Sequence, residues 1–151
     1  MDNPALHGTC VLLRTEAVFI RGVSGSGKST LAHILMNHER SQGHFACLVS
    51  DDRVYVRSVN GFLIASAPPA IAGLMEVRGR GPVEVPHLNN ALVSLVVELL
   101  PIALVERMPE EENMTTEIHG TKIPYQAVPV GDLTAAQRLV EAALSFIRLQ
   151  K

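Results

Sequence analysis

Tryptophan is absent from this 151-residue chain, and aromatic residues make up only 4% of it. With hydrophobic residues at 47%, any interior must be built from aliphatic side chains. A surplus of positive charge is missing too: 13 Lys and Arg against 15 Asp and Glu leave a formal net charge of −2. Affinity for nucleic acid draws on clustered Lys and Arg, so this composition argues against a nucleic-acid partner. The two cysteines, Cys10 and Cys47, sit in apolar, strand-like runs. They are expected to be buried free thiols in a reducing compartment. The N-terminus has no basic stretch followed by a long apolar one, so no secretory signal is expected. The longest apolar run, ALVSLVVELLPIALV at 91–105, is broken by Glu98 and Pro101 and is too short to cross a bilayer. The expectation is a cytoplasmic protein with no membrane association and, at this length, one domain over 1–151.

What is present is a mixed pattern of elements. TCVLLR and AVFIRG read as two strands joined by a turn at Thr15-Glu16. Lys28 to about Arg40 reads as a helix with Leu31, Ile34 and Leu35 on one face. HFACLVSDD (44–52) reads as a central strand ending in two acids. A hairpin is expected to turn at Asn60-Gly61, and PAIAGLMEVRGRG to form a short helix ending at Gly79. The run at 91–105 suits either a strand or a helix, and its Val and Ile content favours a strand. TTEIHG-TKIPYQAVPV reads as a further strand pair, followed by an amphipathic C-terminal helix in LTAAQRLVEAALSFIRLQ. The order implies an α/β fold whose mixed sheet carries hairpins and is flanked by helices.

The most informative stretch is Gly22-Val23-Ser24-Gly25-Ser26-Gly27-Lys28-Ser29, followed by Thr30. It fits G-x-x-x-x-G-K-[ST] in full, after an apolar run and before a helix. Glycines let backbone N–H groups converge on phosphate, and the helix N-terminus adds partial positive charge. In this reading the domain is a P-loop domain binding ATP and Mg²⁺. Lys28 reaches the β- and γ-phosphates and the Ser29 hydroxyl faces Mg²⁺. Asp51 and Asp52 close the apolar run 45–49. An acid at a strand end beside such a loop holds the metal or its water shell. Two acids permit a division, with Asp51 near the metal and Asp52 accepting a hydroxyl proton. The competing interpretation is a solvated turn.

His7-Gly8, the glycine loop, LVSDDRV, ASAPP and LMEVRGRG occur in an order that resembles the catalytic domain of the HPr kinase/phosphorylase family. The resemblance is good over residues 7–85 and fades beyond. It implies a protein serine kinase that phosphorylates HPr, the small phosphocarrier of the sugar phosphotransferase system, and that can reverse the reaction by phosphorolysis. It further implies that Asp52 is the proton acceptor and His7 an active-site histidine near it. Glu76, in MEVRG, becomes a second metal ligand, and Arg107, in ERMPEE, a mobile-loop arginine that stabilises the transferring phosphoryl group. Met108-Pro109 stands where the family usually has leucine-glycine. His33, His38, His44, His87 and His119 lack metal-ligand spacing, and Glu110, Glu111 and Glu112 read as a solvated loop. Arg78 and Arg80 suit either surface ion pairs or phosphate contacts.

Full-length family members carry a large N-terminal domain, whereas this chain begins almost at His7, as a catalytic-domain-only form would. The family commonly assembles as hexamers, which makes a homo-oligomer an expectation. VPVGDL, with Asp132, replaces a basic segment associated with dephosphorylation, so weak phosphorolysis is expected. Two other functions fit the glycine loop: a small-molecule kinase and a nucleotide-binding regulator with little catalysis.

Overall fold

The computed structural model describes residues 4–151. The chain opens with β1 (Leu6–His7), β2 (Thr9–Leu13) and β3 (Glu16–Gly22). β2 and β3 form the expected hairpin, although Leu13 pairs with Glu16 and the turn therefore falls one residue early, at Arg14-Thr15. After the glycine loop, α1 (Lys28–Ser41) leads to β4 (Ala46–Ser50). β5 (Arg53–Val59) and β6 (Phe62–Ser66) turn at Asn60-Gly61, both at positive φ, as a tight hairpin turn requires. β7 (Leu74–Val77), β8 (Gly81–Glu84) and the long β9 (Asn90–Leu100) follow. β10 (Thr115–Ile118), β11 (Thr121–Pro129) and α2 (Leu133–Leu149) complete the chain.

Two sequence expectations need correction. The segment expected as a short helix contains only a single tight turn at Pro69–Ile71 before β7 pairs with β8 as an antiparallel hairpin. Gly73, Gly79 and Gly81 all take positive φ, which an α-helix does not accommodate. β4 is also not central, since the sheet runs β1-β5-β6-β9-β3-β2-β4 with β4 at its end. Its five residues are nonetheless all buried, which is why it reads as central. The strap at 86–88 covers its free edge: Leu48 N donates to Pro86 O, and Leu88 N donates to Leu48 O at 2.9 Å.

β9 organises the sheet. It pairs antiparallel with β6 through its first residues, and parallel with β3 and β11 further along. On one face, α1 and α2 bury Leu31, Leu35, Val140 and Leu144 against Val18, Ile20, Leu95 and Val97. On the other, the sheet folds over itself to enclose Phe19, Val54, Leu63 and Val96. The first of these clusters contains no aromatic residue, in keeping with the composition.

The C-terminal helix is tied to the start of β3 by a buried carboxylate. Glu16, 2% exposed, accepts from Arg148 Nε at 2.6 Å, Lys151 Nζ at 2.7 Å and Thr15 Oγ1 at 2.6 Å. Burial pushes this carboxyl up, but the donors from Lys151, Thr15 and Arg148 outweigh it and hold it at about 2, against an ordinary 4.5. A carboxylate held low stabilises the fold fully above its unfolded pKa and loses that contribution as pH falls through its folded pKa. Glu16→Gln is therefore expected to lower stability at neutral pH by roughly 2–3 kcal/mol. The gap to the wild type should close as pH falls from 4.5 toward 2. Urea midpoints across that range test this, and a constant gap contradicts it.

Candidate active site

β3 and β9 run parallel, and β2 antiparallel to β3, so the end of β3, the start of β2 and the end of β4 lie at one end of the sheet. The loop 22–27 leaves from that end. Gly22 is needed there for space, because an added Cβ would lie 2.7 Å from Ser26 Oγ and 3.2 Å from Leu99 O. Gly25 and Gly27 are needed for conformation, with φ of 80 and 103, and nothing stands within 4 Å of where their Cβ atoms would be. Val23 is exposed, and Ser24 with it.

Gly27 is the N-cap of α1, and no side chain caps the helix. Its first-turn amides therefore lack intrahelical partners and carry the positive end of the helix dipole. Ser26 Oγ is buried with no hydrogen-bond partner among the described residues. Lys28 Nζ donates to Gly22 O and Val23 O at 3.0 Å each. Burial lowers the Lys28 pKa, while the charges of Asp52 and Asp51 oppose that shift. Uncapped amides, an orphaned hydroxyl, a buried ammonium and open space over two glycines together form a cradle that fits a phosphate group. Thr30, two residues beyond Lys28 on the helix, is exposed.

Asp51 is 4% exposed. Its Oδ1 accepts from Ser29 Oγ at 2.6 Å and Thr9 Oγ1 at 2.9 Å, and its Oδ2 accepts from the Glu76 backbone N at 2.9 Å. A hydroxyl has one proton and two lone pairs, so Ser29 keeps its oxygen lone pairs free while donating to Asp51. Among the described residues, no three His, Cys, Asp or Glu side chains cluster as a metal site. Mg²⁺ does not need such a cage, being usually held by one or two protein ligands together with phosphate and water. Ser29 and Asp51 fit that requirement. Glu76 contributes its backbone N–H, and its side chain is exposed.

Asp52 differs from its neighbour. Its carboxylate is 68% exposed, and His7 Nδ1 lies 3.7 Å from Oδ1. The backbone takes φ 70, a region open to Asp at some cost and frequent at functional sites. Gly8 N donates to Asp52 O at 3.0 Å, which fixes His7 beside it.

The structure thus brings together His7, the glycine loop, Lys28, Ser29, Asp51, Asp52 and the backbone of Glu76. Arg107 stays apart. It is exposed on the segment between β9 and β10, without an ion pair among the described residues. Sequence reasoning missed Thr9, whose only signal is a lone hydroxyl opening an apolar strand. It also overlooked the role of Asp132, whose Oδ1 accepts from Ala135 N at 3.0 Å and caps α2. A cavity of about 350 Å³, lined by Arg21, Glu98 and Tyr125, includes none of the residues predicted from sequence.

The HPr Serine kinase C-terminal domain family matches residues 2–151. The chain belongs to this family. The HPr kinase/phosphorylase of Exiguobacterium sibiricum is 34% identical over 97% of this chain and 48% of its own length. That of Lactobacillus acidophilus is 32% identical over 97% of this chain and 47% of its own. The chain spans about half the length of these curated relatives. A solved structure, the Hpr(Ser) kinase/phosphatase from Coxiella burnetii, superposes with a TM-score of 0.76 at 26% identity, covering 98% of each chain. The mixed α/β sheet with its two helices is therefore the architecture of a known family structure.

Gly8 tests the packing that sets His7 beside Asp52. A Cβ at Gly8 would lie 2.5 Å from the Phe19 ring and 2.6 Å from Ile20 O, and a backbone atom cannot swing away. Gly8→Ala is expected to cost about 1–3 kcal/mol, read as a lower urea midpoint. An unchanged midpoint contradicts the packing argument.

Proposed function

We propose that this chain is an ATP-dependent protein serine kinase acting on HPr or a related phosphocarrier. The observation that carries the reading is the pairing of two unlike aspartates beside the glycine loop: Asp51 buried and held by three donors, Asp52 exposed and free to meet a substrate. Family membership adds support, since relatives over this region are named HPr kinase/phosphorylase.

The residues divide the work as follows. Amides of the loop and the first turn of α1 hold the phosphates, and Lys28 exchanges its loop carbonyls for phosphate oxygens. Ser29 and Asp51 hold Mg²⁺, which when bound offsets charge on the β- and γ-phosphates. Asp52 accepts the proton of the attacking serine hydroxyl, with His7 beside it to orient the carboxylate. A carboxylate 68% exposed is reachable by a hydroxyl on a protein surface, which favours a macromolecular acceptor over an enclosed small molecule. Arg107 would join only if its segment moved toward the loop. Weak phosphorolysis now rests on the lack of a basic residue in 130–133, because Asp132 is accounted for by its helix cap. No helix among the described residues is long and apolar enough to cross a membrane, which is compatible with the cytoplasmic setting proposed here.

Phosphotransfer from ATP to a purified HPr-type carrier tests the reading, with nucleotide binding followed separately by thermal shift. Asp52→Asn is expected to lose about 10²–10⁴-fold in turnover while keeping Mg²⁺-ATP binding. Lys28→Ala should lose both, with the fold intact. Near-wild-type turnover in Asp52→Asn, or equally fast transfer to free hexoses or nucleosides, overturns it.

A further inference from the structure

The ladder between β2 and β4 contains an irregularity at the point where it approaches the site. Val11 pairs with Leu48, but Cys10 pairs with Ser50, so the register shifts by one residue. Without that shift Thr9 would stand opposite Ser50. With it, Ser50 is the partner of Cys10, and Thr9 Oγ1 reaches the Asp51 carboxylate just beyond. Bulges are frequent beside active sites, where they re-aim a side chain, and this one leaves a fully buried hydroxyl against a buried carboxylate. Thr9 is 0% exposed, and its Oγ1 donates to Asp51 Oδ1 at 2.9 Å.

We infer that Thr9 is a positioning residue for the divalent cation, acting through Asp51. The inference rests on the kinase reading above and names a residue of that site that neither the motif nor the paired acids indicate. A carboxylate offers about four acceptor positions. On Asp51, Thr9 and Ser29 occupy Oδ1, and the Glu76 amide occupies one position of Oδ2. One position on Oδ2 remains, directed by the three donors already in place. Two of those donors lie outside the main sheet: Ser29 at the loop-helix junction, and Glu76 on the β7–β8 hairpin, a separate two-stranded sheet. Thr9 alone comes from the nine-stranded sheet, on β2, which is second from the β4 end and paired with β3 and β4 on its two sides. It is the fixed reference for the carboxylate. Partners of this kind, one step removed from the metal, typically change metal affinity by about 10–100-fold when lost.

The test compares Thr9→Val, which keeps the shape and removes the hydroxyl, with Thr9→Ser, which keeps the hydroxyl. The readout is the Mg²⁺ concentration that gives half of the ATP-dependent thermal shift, measured without a phosphate acceptor. Thr9→Val is expected to need about 10–100-fold more Mg²⁺, and Thr9→Ser should stay close to wild type. Turnover on the carrier should then recover in Thr9→Val as Mg²⁺ is raised, because Asp52 and the loop are untouched. If Thr9→Val does not fold, Thr9→Ala, which adds no atom, carries the comparison. An unchanged Mg²⁺ requirement in the variant that lacks the hydroxyl overturns the inference while leaving the kinase reading standing. A wild type whose ATP-dependent shift ignores Mg²⁺ overturns both.

Discussion

A buried carboxylate must find donors or lose its charge, and the Asp51 end of the molecule is arranged around that requirement. Asp51 takes donors from β2, from α1 and from the β7 backbone. Removing any one of them would leave a lone pair unmet in a site with little access to water. The carboxylate therefore couples three segments far apart in sequence and fixes the start of α1 against the end of β4. The glycine loop is anchored at both ends as a consequence: Gly22 packs against Leu99, and Ser29 is held by Asp51.

The two aspartates show how one residue step separates two environments. Asp51 completes a fully buried strand and inherits its surroundings. Asp52 lies beyond the strand end, at positive φ, and turns outward toward His7. The metal-positioning and proton-accepting roles proposed for them ask for these opposite conditions, since the first needs a fixed carboxylate and the second an accessible one. The split is produced by backbone geometry, with Gly8 closing against Asp52 O because its lack of a side chain leaves room beside Phe19.

Much of this was legible in sequence wherever a local rule decides the outcome. The loop follows from its glycine spacing, α1 and α2 from helical periodicity, and the hairpin at Asn60-Gly61 from turn chemistry. The segment 69–81 was not legible, because its three glycines at positive φ act against a helix only once their backbone angles are known. β4 read as central because burial on both faces leaves the same apolar signature whichever strand borders it. Its edge is closed by the strap 86–88, a tertiary contact invisible to periodicity. Thr9 escaped for a similar reason. Its approach to Asp51 depends on a register shift against β4, two strands further along the sequence, and no spacing rule encodes that.

The most direct test of the account is where a nucleotide lands. Backbone amide NMR of the full chain, titrated with ADP and Mg²⁺, reports each residue of the loop separately. The largest shifts are expected at Ser24 to Thr30, with Asp51 and Glu76 following as Mg²⁺ is added. Shifts confined to Arg21, Glu98 and Tyr125, with the loop unmoved, would contradict the placement of the site and every role assigned from it.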